Sequence, residues 1–510
     1  MNGWLRTTRT RGCVSLERMP LLPYAQWYGT MCSLLADKAC HCANCFAAET
    51  DGGLRLFAIV LNDSTGETYI GSAFYDPARG DVLPSLSAAY PAMHAFERDL
   101  AERYGVRYGD HPWLKPLRFP SLRADRSSTA ANYPYYSVQG ESLHEVNVGP
   151  IHAGIIEPGV FRFICNGEEI VHLEIVLGFQ HRGIERLIGA TGNRLRQTVL
   201  AESMAGDSVA AHTVAFCRLL ESFGPAEMRA EAESGSLDDE RALAVEMERM
   251  AVHLADVGAL CMDIGYQLGQ VACEALRTIV INSAQAWCGN RFAKGLVRPF
   301  GTHYPLTDEL KATILKNISE VERRFDTVAR NLENAPSVLS RFEDCGVVTT
   351  AQAQRIGAVG MAARASGLVR DLRSTHPWGP YADGLSHTPV VCAEGDVMAR
   401  LRVRIGEIRQ SAGYIRSLLD RIGSGAGGCA PRLSFPLAPG SLAFSLVEGW
   451  RGEICHAAVT APSGAIAAFR AVDPSLHNWL ALALAVRKAG ISDFPINNKS
   501  FSLSYAGHDM

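Results

Sequence analysis

The chain contains 510 residues, of which 47% are hydrophobic and 20% are charged, and its formal net charge is -4 at pH 7. This length predicts two or three domains, because single cores seldom grow beyond about 250–300 residues. The balanced charge, without a dense Lys/Arg stripe, excludes a nucleic-acid-binding protein, and no apolar run reaches the roughly 20 residues that cross a bilayer.

The start of the chain is basic and almost free of acidic residues, with arginines at positions 6, 9, 11 and 18. It lacks the apolar segment and the cleavage site of a secretory signal. We therefore predict that residues 1–19 form a disordered extension.

Residues 20–120 show the pattern of a small α+β domain. Apolar spacing predicts helices at the start and at the end of this region, and residue alternation predicts two strands between them. The predicted elements are a helix over Tyr24–Ala36, strands over Leu54–Leu61 and Thr68–Phe74, and a helix over Ser87–Tyr104.

Fourteen cysteines are scattered along the chain without a paired framework, which indicates a reducing compartment. The densest group is Cys40-His41-Cys42-Ala43-Asn44-Cys45. Thiolates and imidazole are ligands for zinc or an iron-sulfur cluster. The alternative is a cysteine-rich helix end without metal, which we favour because a second Cys-x-x-Cys is missing.

A stretch rich in Ser, Ala, Pro and Tyr predicts a linker over residues 121–140, and residues 141–510 form the second domain. It opens with a predicted hairpin, Phe161–Ile164 and Glu169–Ile175, joined by the turn dipeptide Asn166-Gly167. The rest is mostly helical, and two closing strands are expected to return to the hairpin. The predicted elements are helices over 243–268, 275–287, 307–335 and 397–422 and strands over 443–450 and 453–460.

The end of the first domain resembles the signature of the 30 kDa (C-type) subunit of respiratory complex I. The matching residues are Phe96-Glu97-Arg98-Asp99, Tyr104-Gly105 and Gly109-Asp110-His111-Pro112. The resemblance implies a docking domain. We expect the charged residues around Glu97 to lie on an exposed helix face, solvated or ion-paired.

The second domain resembles the large subunit of group 4, membrane-bound nickel-iron hydrogenases of the hydrogenase-4 and formate hydrogenlyase type, and the related 49 kDa (D-type) subunit of complex I. The matching strings are GPIHAGIIEPGVFRF, NGEEI, LGFQHRGIE, EGWRGEICHAAV and DFPINNKSFSLSYAGHDM. Together the resemblances imply an α+β fold in which a small N-terminal α+β domain precedes a large, mostly helical domain with a small sheet region.

Hydrogenases of this family hold nickel and iron on four thiolates. Aligned with those motifs, the four positions are Ala205, Ser208, Ser475 and Asn478 in this chain. Alanine, a neutral hydroxyl and an amide cannot replace thiolates on nickel. The resemblance therefore implies the frame of a metal site without its ligands, and nickel is not expected.

The same alignment supplies candidate residues for the cavity that remains. His152, Glu157, His212 and Asp473 are the catalytic candidates, because a set of imidazoles and carboxylates can relay protons. Candidates for lining the cavity or a quinone site are His181, Arg182, Ser475 and His477. The alternative is structural, with Glu157 and Asp473 capping backbone and Arg182 neutralising a buried acid.

The resemblance implies a C/D-type subunit of a membrane-associated oxidoreductase related to complex I. The resemblance implies that the whole oxidoreductase couples electron transfer to ion translocation and that this chain is not active alone. No cofactor is assigned to this chain; an iron-sulfur cluster is expected in a B-type small subunit, and quinone is a candidate ligand. A ferredoxin-like subunit and antiporter-like membrane subunits are further expected partners, which would hold the chain on the cytoplasmic face of the cell membrane. The alternative is a catalytically silent scaffold of an ion-driven membrane complex.

Overall fold

The computed structural model describes residues 3–233, 236–423 and 429–510. It confirms the predicted α+β class, with sheets at both ends of the chain and a helical body between them. Within the described ranges, no helix is both long enough and apolar enough to span a bilayer.

The N-terminal part is a mixed sheet covered by helices. Its strands and helices are β1 (Leu5–Thr7), β2 (Arg11–Ser15), β3 (Leu21–Leu22), α1 (Tyr24–Ala36), β4 (Cys40–Thr50), β5 (Gly53–Asn62), β6 (Glu67–Tyr75), β7 (Val82–Pro84), α2 (His94–Tyr104) and β8 (Arg107–Gly109). The sheet order is β1-β6-β5-β4, with β3 parallel to β6. The predicted helix over Tyr24–Ala36 and both predicted strands are confirmed.

The start of the chain is not a disordered extension, so that prediction for residues 1–19 was wrong over the described part. Strand β1 pairs with β6 of the N-terminal sheet. Strand β2 pairs instead with residues 441–445, in a sheet formed near the other end of the chain. Backbone hydrogen bonds to two distant strands order a segment whose own composition is too polar to fold alone.

The cysteine-rich segment is a strand and not a helix end. Cys40–Cys45 forms the first half of β4, which pairs with β5 and has a bulge between Cys42 and Asn44. Each of these six side chains is buried. Among the described residues, no group of three or more His, Cys, Asp and Glu side chains is arranged to hold a metal ion.

The charged residues of α2 do not lie on an exposed helix face. Glu97, Arg98 and Asp99 are all buried. The Glu97 carboxylate accepts hydrogen bonds from the backbone N–H groups of Leu86 and Ser87, and Arg103 donates to Asp99. Burial of such groups is compatible with stability because each is hydrogen-bonded or ion-paired.

The middle of the chain supplies the hairpin and the helical body. Its elements are β9 (Leu143–Val148), β10 (Val160–Asn166), β11 (Glu169–Val176), α3 (Ile184–Gly189), α4 (Arg194–Ala201), α5 (Val209–Phe223), α6 (Ala226–Glu233), α7 (Leu237–Asp263), α8 (Gln267–Cys288), β12 (Val297–Arg298), β13 (Gly301–Thr302), α9 (Asp308–Asn334), α10 (Pro336–Phe342), α11 (Thr350–Ile356), α12 (Gly360–Arg364), α13 (Leu372–Thr375) and α14 (Val397–Arg421). The hairpin is confirmed, with Gly167 at a φ of 59° in its turn.

The last part contains β14 (Ser441–Glu448), β15 (Glu453–Thr460), β16 (Ile466–Val472), α15 (Pro474–Ala485), α16 (Phe494–Phe501) and α17 (Tyr505–Asp509). The two predicted closing strands are present as β14 and β15. They form a sheet in the order β16-β15-β14-β2, whereas the hairpin forms another sheet with β9.

Both faces of this closing sheet are buried, and each packs on a different core. Along β15, Cys455, Ala457 and Val459 point into the hydrophobic core of the N-terminal part. The alternate residues Ile454 and Ala458 pack on the opposite side with the helical body and α5. Successive side chains of a strand point to opposite faces, so one strand connects the two halves of the molecule.

Candidate functional site

Two segments far apart in sequence meet where α5 begins and α15 begins. His212 lies in the first turn of α5, and Asp473 is the N-terminal cap of α15. The His212 Nε2 atom is 3.0 Å from the Asp473 Oδ2 atom, and both side chains are fully buried. The structure therefore brings together two of the predicted catalytic candidates.

A third side chain extends this pair. The Nδ1 atom of His212 lies 3.1 Å from the Nε2 atom of His456, which projects from β15. Burial, together with the neighbouring His212, lowers the pKa of His456 well below its ordinary value. His456 is therefore neutral at neutral pH, and the direction of its hydrogen bond with His212 depends on which ring nitrogens carry the protons.

The carboxylate end of this series is ionised. Burial alone would raise the pKa of Asp473, but the hydrogen bond from His212 and the charges of His212 and Arg451 outweigh it and hold the pKa at about 2. The Ser475 N–H donates to the other carboxylate oxygen over 2.8 Å. Asp473 thus caps α15 and also accepts a hydrogen bond from His212.

These three residues, which we name the His-His-Asp series (His456, His212 and Asp473), can pass a proton. A proton that arrives at the Nδ1 atom of His456 lets its Nε2 proton move to His212. His212 then holds the proton as an imidazolium beside the ionised Asp473, so one N–H bond breaks as another forms. His456 belongs to one of the matching sequence strings, but its place in the site was not predicted. Alternation along β15, which puts His456 on the face opposite Cys455, was the signal that could have found it.

The loop before α5 carries two of the four family ligand positions and is held by an arginine. Arg451 donates to both carboxylate oxygens of Asp207 over 2.6 and 2.7 Å. The indole N–H of Trp450 donates to the Asp207 backbone oxygen over 2.8 Å. Ala205 and Ser208 flank Asp207 and are buried.

The other two family positions are occupied by hydrogen bonds to the backbone. The Ser475 hydroxyl accepts from the Ser504 N–H over 2.8 Å. The Asn478 amide accepts from the Val359 N–H and donates to the Val359 carbonyl, each over 3.1 Å. These side chains have no thiolate to offer, and their polar atoms already have partners, so they do not fit a nickel-iron centre.

The C-terminal segment closes the site and contacts two further candidates as well as Asp473. The Tyr505 N–H donates to Glu157 over 3.2 Å. The Nδ1 atom of His181 lies 2.8 Å from the Asp509 carbonyl oxygen. Gly507 approaches Asp473 so closely that a Cβ atom there would lie 2.7 Å from the Asp473 Cγ atom.

The remaining candidates lie outside the His-His-Asp series. His152 bonds its own loop, with its Nε2 atom 2.8 Å from the Gly159 carbonyl oxygen. Arg182 donates to the backbone oxygens of Ser203 and Met204, and the charges of Glu157 and Asp509 also act on it. His477 packs edge-on against Phe96 of the N-terminal part, with ring centroids 5.6 Å apart. Burial is the main cause of its pKa of about 4.

A second histidine cluster lies on the opposite face of the closing sheet. His41 of β4 has its Nε2 atom 2.8 Å from Glu453 of β15 and its Nδ1 atom 3.3 Å from Asp63. Burial and the nearby Arg370 lower the pKa of His41, but the two carboxylates outweigh them and raise it to about 9. His41 is therefore a cation that joins the N-terminal part to the closing sheet, and we name this group the His41 cluster (His41, Asp63 and Glu453).

The sequence has relatives among hydrogenase and complex I subunits. The family described as the 49 Kd subunit of respiratory-chain NADH dehydrogenase matches residues 263–437. Hydrogenase-4 component G of Escherichia coli (strain K12) is 25% identical, over 84% of this chain and 76% of that protein. The alpha subunit of the membrane-bound hydrogenase of Pyrococcus furiosus is 30% identical, over 61% of this chain and 74% of its own length.

The relatives also include fusions of two subunits. The C/D fusion subunit of NADH-quinone oxidoreductase from Gluconacetobacter diazotrophicus is 26% identical, over 71% of this chain and 64% of that protein. The chain belongs to the family of large subunits that membrane-bound hydrogenases share with the 49 kDa subunit of NADH dehydrogenase. Its relatives are named as components or subunits of larger complexes, which confirms the predicted hydrogenase-like and complex I-like character.

Proposed function

We propose that this chain is the fused C/D-type subunit of a membrane-associated oxidoreductase related to complex I. The complex couples electron transfer to ion translocation, and this subunit works without a nickel-iron centre. The chain's relatives include both membrane-bound hydrogenase subunits and quinone oxidoreductase C/D subunits, which supports this assignment. An iron-sulfur small subunit would deliver electrons beside the site, and a ferredoxin-like subunit would precede it.

The observation that carries the proposal is the set of side chains at the four family ligand positions. Ala205 has no donor atom, and Ser475 and Asn478 are bonded to the backbone of Ser504 and Val359. The His-His-Asp series lies beside these four positions, at the starts of α5 and α15. A chain of two imidazoles and a carboxylate handles protons and needs no metal to do so.

The surface around the site suits a partner subunit. The loop that contains His152 exposes Ile151 and Ile155, which are 86% and 80% exposed. Leu195 and Val199 are also exposed, on α4. Large apolar side chains with this exposure are candidates for contact with a partner protein. We assign this surface to the iron-sulfur small subunit, and antiporter-like subunits would attach the assembly to the cytoplasmic face of the membrane.

The first experiment is the nickel and iron content of the complex purified from its own membranes, measured per copy of this chain. We expect iron at the level of the partner subunits' clusters and no stoichiometric nickel. Co-purification of iron-sulfur and membrane subunits is expected in the same preparation. One nickel per chain, or a monomer without partners, would contradict the proposal.

The second candidate function is a silent scaffold, and full burial of His212 and Asp473 favours it. His212→Gln, Asp473→Asn, His152→Ala and Glu157→Ala separate the two functions. A proton-handling site predicts that the first two changes lower activity of the assembled complex at least tenfold, since proton transfer contributes about 10²–10⁴-fold. The control is Asp308→Ala, a largely exposed carboxylate in the first turn of α9. Unchanged activity in all four variants would favour the scaffold.

A further inference from the structure

A cavity of about 330 Å³ lies between the two halves of the chain, away from the His-His-Asp series. It is bounded by α2, by residues 112–117, by β11 and by α15. Its volume is within the range of about 300–1,000 Å³ that is typical of small-molecule sites. Helix α15 therefore contributes to the candidate site with one face and to this cavity with another.

The lining is mostly apolar. Helix α15 contributes Leu476, Trp479, Leu480 and Ala483, and Leu173 and Val176 of β11 lie among the other lining residues. Trp113 also lines the cavity. Its ring is held in place by the Arg98 guanidinium, 4.5 Å from the ring centroid, and by His94, which stacks on it with centroids 5.0 Å apart. Such a lining accommodates an apolar chain or ring system.

The permanent charges of the cavity lining are both positive. Among the described residues that line it, there is no aspartate or glutamate, whereas Arg98 and Arg487 are present. The three lining histidines, His94, His172 and His508, have pKa values lowered mainly by burial, so they are uncharged at neutral pH. Arg98 donates to the backbone oxygens of Lys115 and Pro116, which are uncharged acceptors. The nearby Glu174 is bonded to Lys115 and to the Tyr136 N–H.

The polar end of the cavity is at its exposed rim. Arg487 is exposed, and its Nη2 atom lies 3.5 Å from the Nδ1 atom of His172. Burial and the charge of Arg487 lower the pKa of His172, so the uncharged imidazole accepts from Arg487 and the arginine supplies the positive charge of the rim. Deeper in, the Trp113 and Trp479 indole nitrogens and the His94 Nδ1 atom have no hydrogen-bond partner in the described structure. Buried polar atoms normally have one, but these atoms lie deeper than the rim and are not the partners of a head group held there.

We propose that this cavity binds a monocarboxylate amphiphile of the fatty-acid class. The apolar chain lies against α15 and β11, and the carboxylate lies at Arg487 and His172. The basic, acid-free lining favours an anionic head over an uncharged one. This inference is independent of the proposed function, because it uses neither the His-His-Asp series nor an electron carrier.

Calorimetric titration of the full chain with laurate, after lipid removal, tests the proposal, and dodecanol is the uncharged probe of equal length. Two variants of the site are Ala483→Leu, which fills the cavity, and Arg487→Gln, which removes the rim charge without touching the core. The matched control is Arg330→Gln, an exposed arginine of α9 that does not line the cavity.

We expect saturable binding of one laurate per chain, lost in Ala483→Leu and weakened about fivefold in Arg487→Gln, the scale of an exposed ion pair. The Arg330→Gln variant should bind like the natural chain, and dodecanol should bind more weakly. Absence of saturable laurate binding, equal binding of dodecanol, or an unchanged affinity in Arg487→Gln would overturn the proposal.

Discussion

The two faces of the closing sheet each carry a buried histidine cluster, and the clusters differ in charge. On one face, His456 adjoins another imidazole and is neutral. On the other face, His41 lies between Glu453 and Asp63 and is held as a cation. Glu453 and His456 are three residues apart on β15. The comparison shows that the number of carboxylates beside an imidazole, and not burial alone, determines its charge.

The largest effect is expected from Asp473→Ala on the first face. It removes the cap of α15 and leaves the His212 Nε2 atom without its 3.0 Å partner. Loss of a cap costs about 1 kcal/mol, and an unpaired buried group costs about 1–3 kcal/mol more. We expect a loss of about 3 kcal/mol in the free energy of unfolding, measured by urea denaturation. Asp396→Ala is the control, because Asp396 caps α14 without a histidine partner; an equal loss in both variants would contradict the role of His212.

On the second face, the His41 cluster should make the folded chain less stable as the pH rises into the alkaline range. The pKa of His41 is raised from 6.5 to about 9 in the folded chain. Its contribution is therefore complete below pH 6.5 and is lost as the pH rises through about 9. We expect a decrease of roughly 2–3 kcal/mol in the natural chain over this range. His41→Gln should flatten the slope between pH 6.5 and about 8, where the thiols of the unfolded chain are still mostly protonated, whereas His144→Gln, at an exposed position of β9, should retain it.

The contribution of His456, on the first face, to the stability of the chain should fall in acid and not in alkali. Because the pKa of His456 is lowered in the folded chain, protons bind the unfolded chain more readily below pH 6.5. We expect the share of His456 in the loss of stability from pH 6.5 to pH 5 to be up to about 2 kcal/mol, and the loss measured by thermal unfolding should be smaller by that share in His456→Gln. An unchanged loss in this variant would contradict the lowered pKa of His456.

The smallest effect is expected from Ser475→Ala. This change removes the acceptor of the Ser504 N–H but leaves the Asp473 cap in place. A single hydrogen bond of this kind contributes about 1 kcal/mol. The thermal midpoint should therefore fall slightly, without any change in its dependence on pH. A loss as large as that of Asp473→Ala would mean that Ser475 supports the whole site.

Sequence predicted the elements whose signals are local. The Asn166-Gly167 turn and the spacing of Tyr24–Ala36 located the hairpin and α1. Strand β4 was missed because it is buried on both faces, so it lacks alternation, and its thiols suggested ligands. Strand β2 was missed because its partner is near the other end of the chain.

The site was predicted in part, and helix geometry explains the error. His212, Asp473 and Ser475 came from the family resemblance, and the structure places them together. His477 was grouped with them because it is close in sequence to Ser475. Two residues along a helix are about 200° apart around its axis, so His477 points instead to Phe96. To predict His456 as a site residue, one would have needed to know which face of the closing sheet packs against α5.

The pairing of β2 with β14 also affects how the chain is made. Arg11 pairs with Ser445, so strand β2 has no partner until β14 has been translated. At about 5–20 residues per second, the ribosome needs at least about 20 seconds between these two strands. During this time β2 can pair with other chains, since an unpaired strand edge is a template for aggregation.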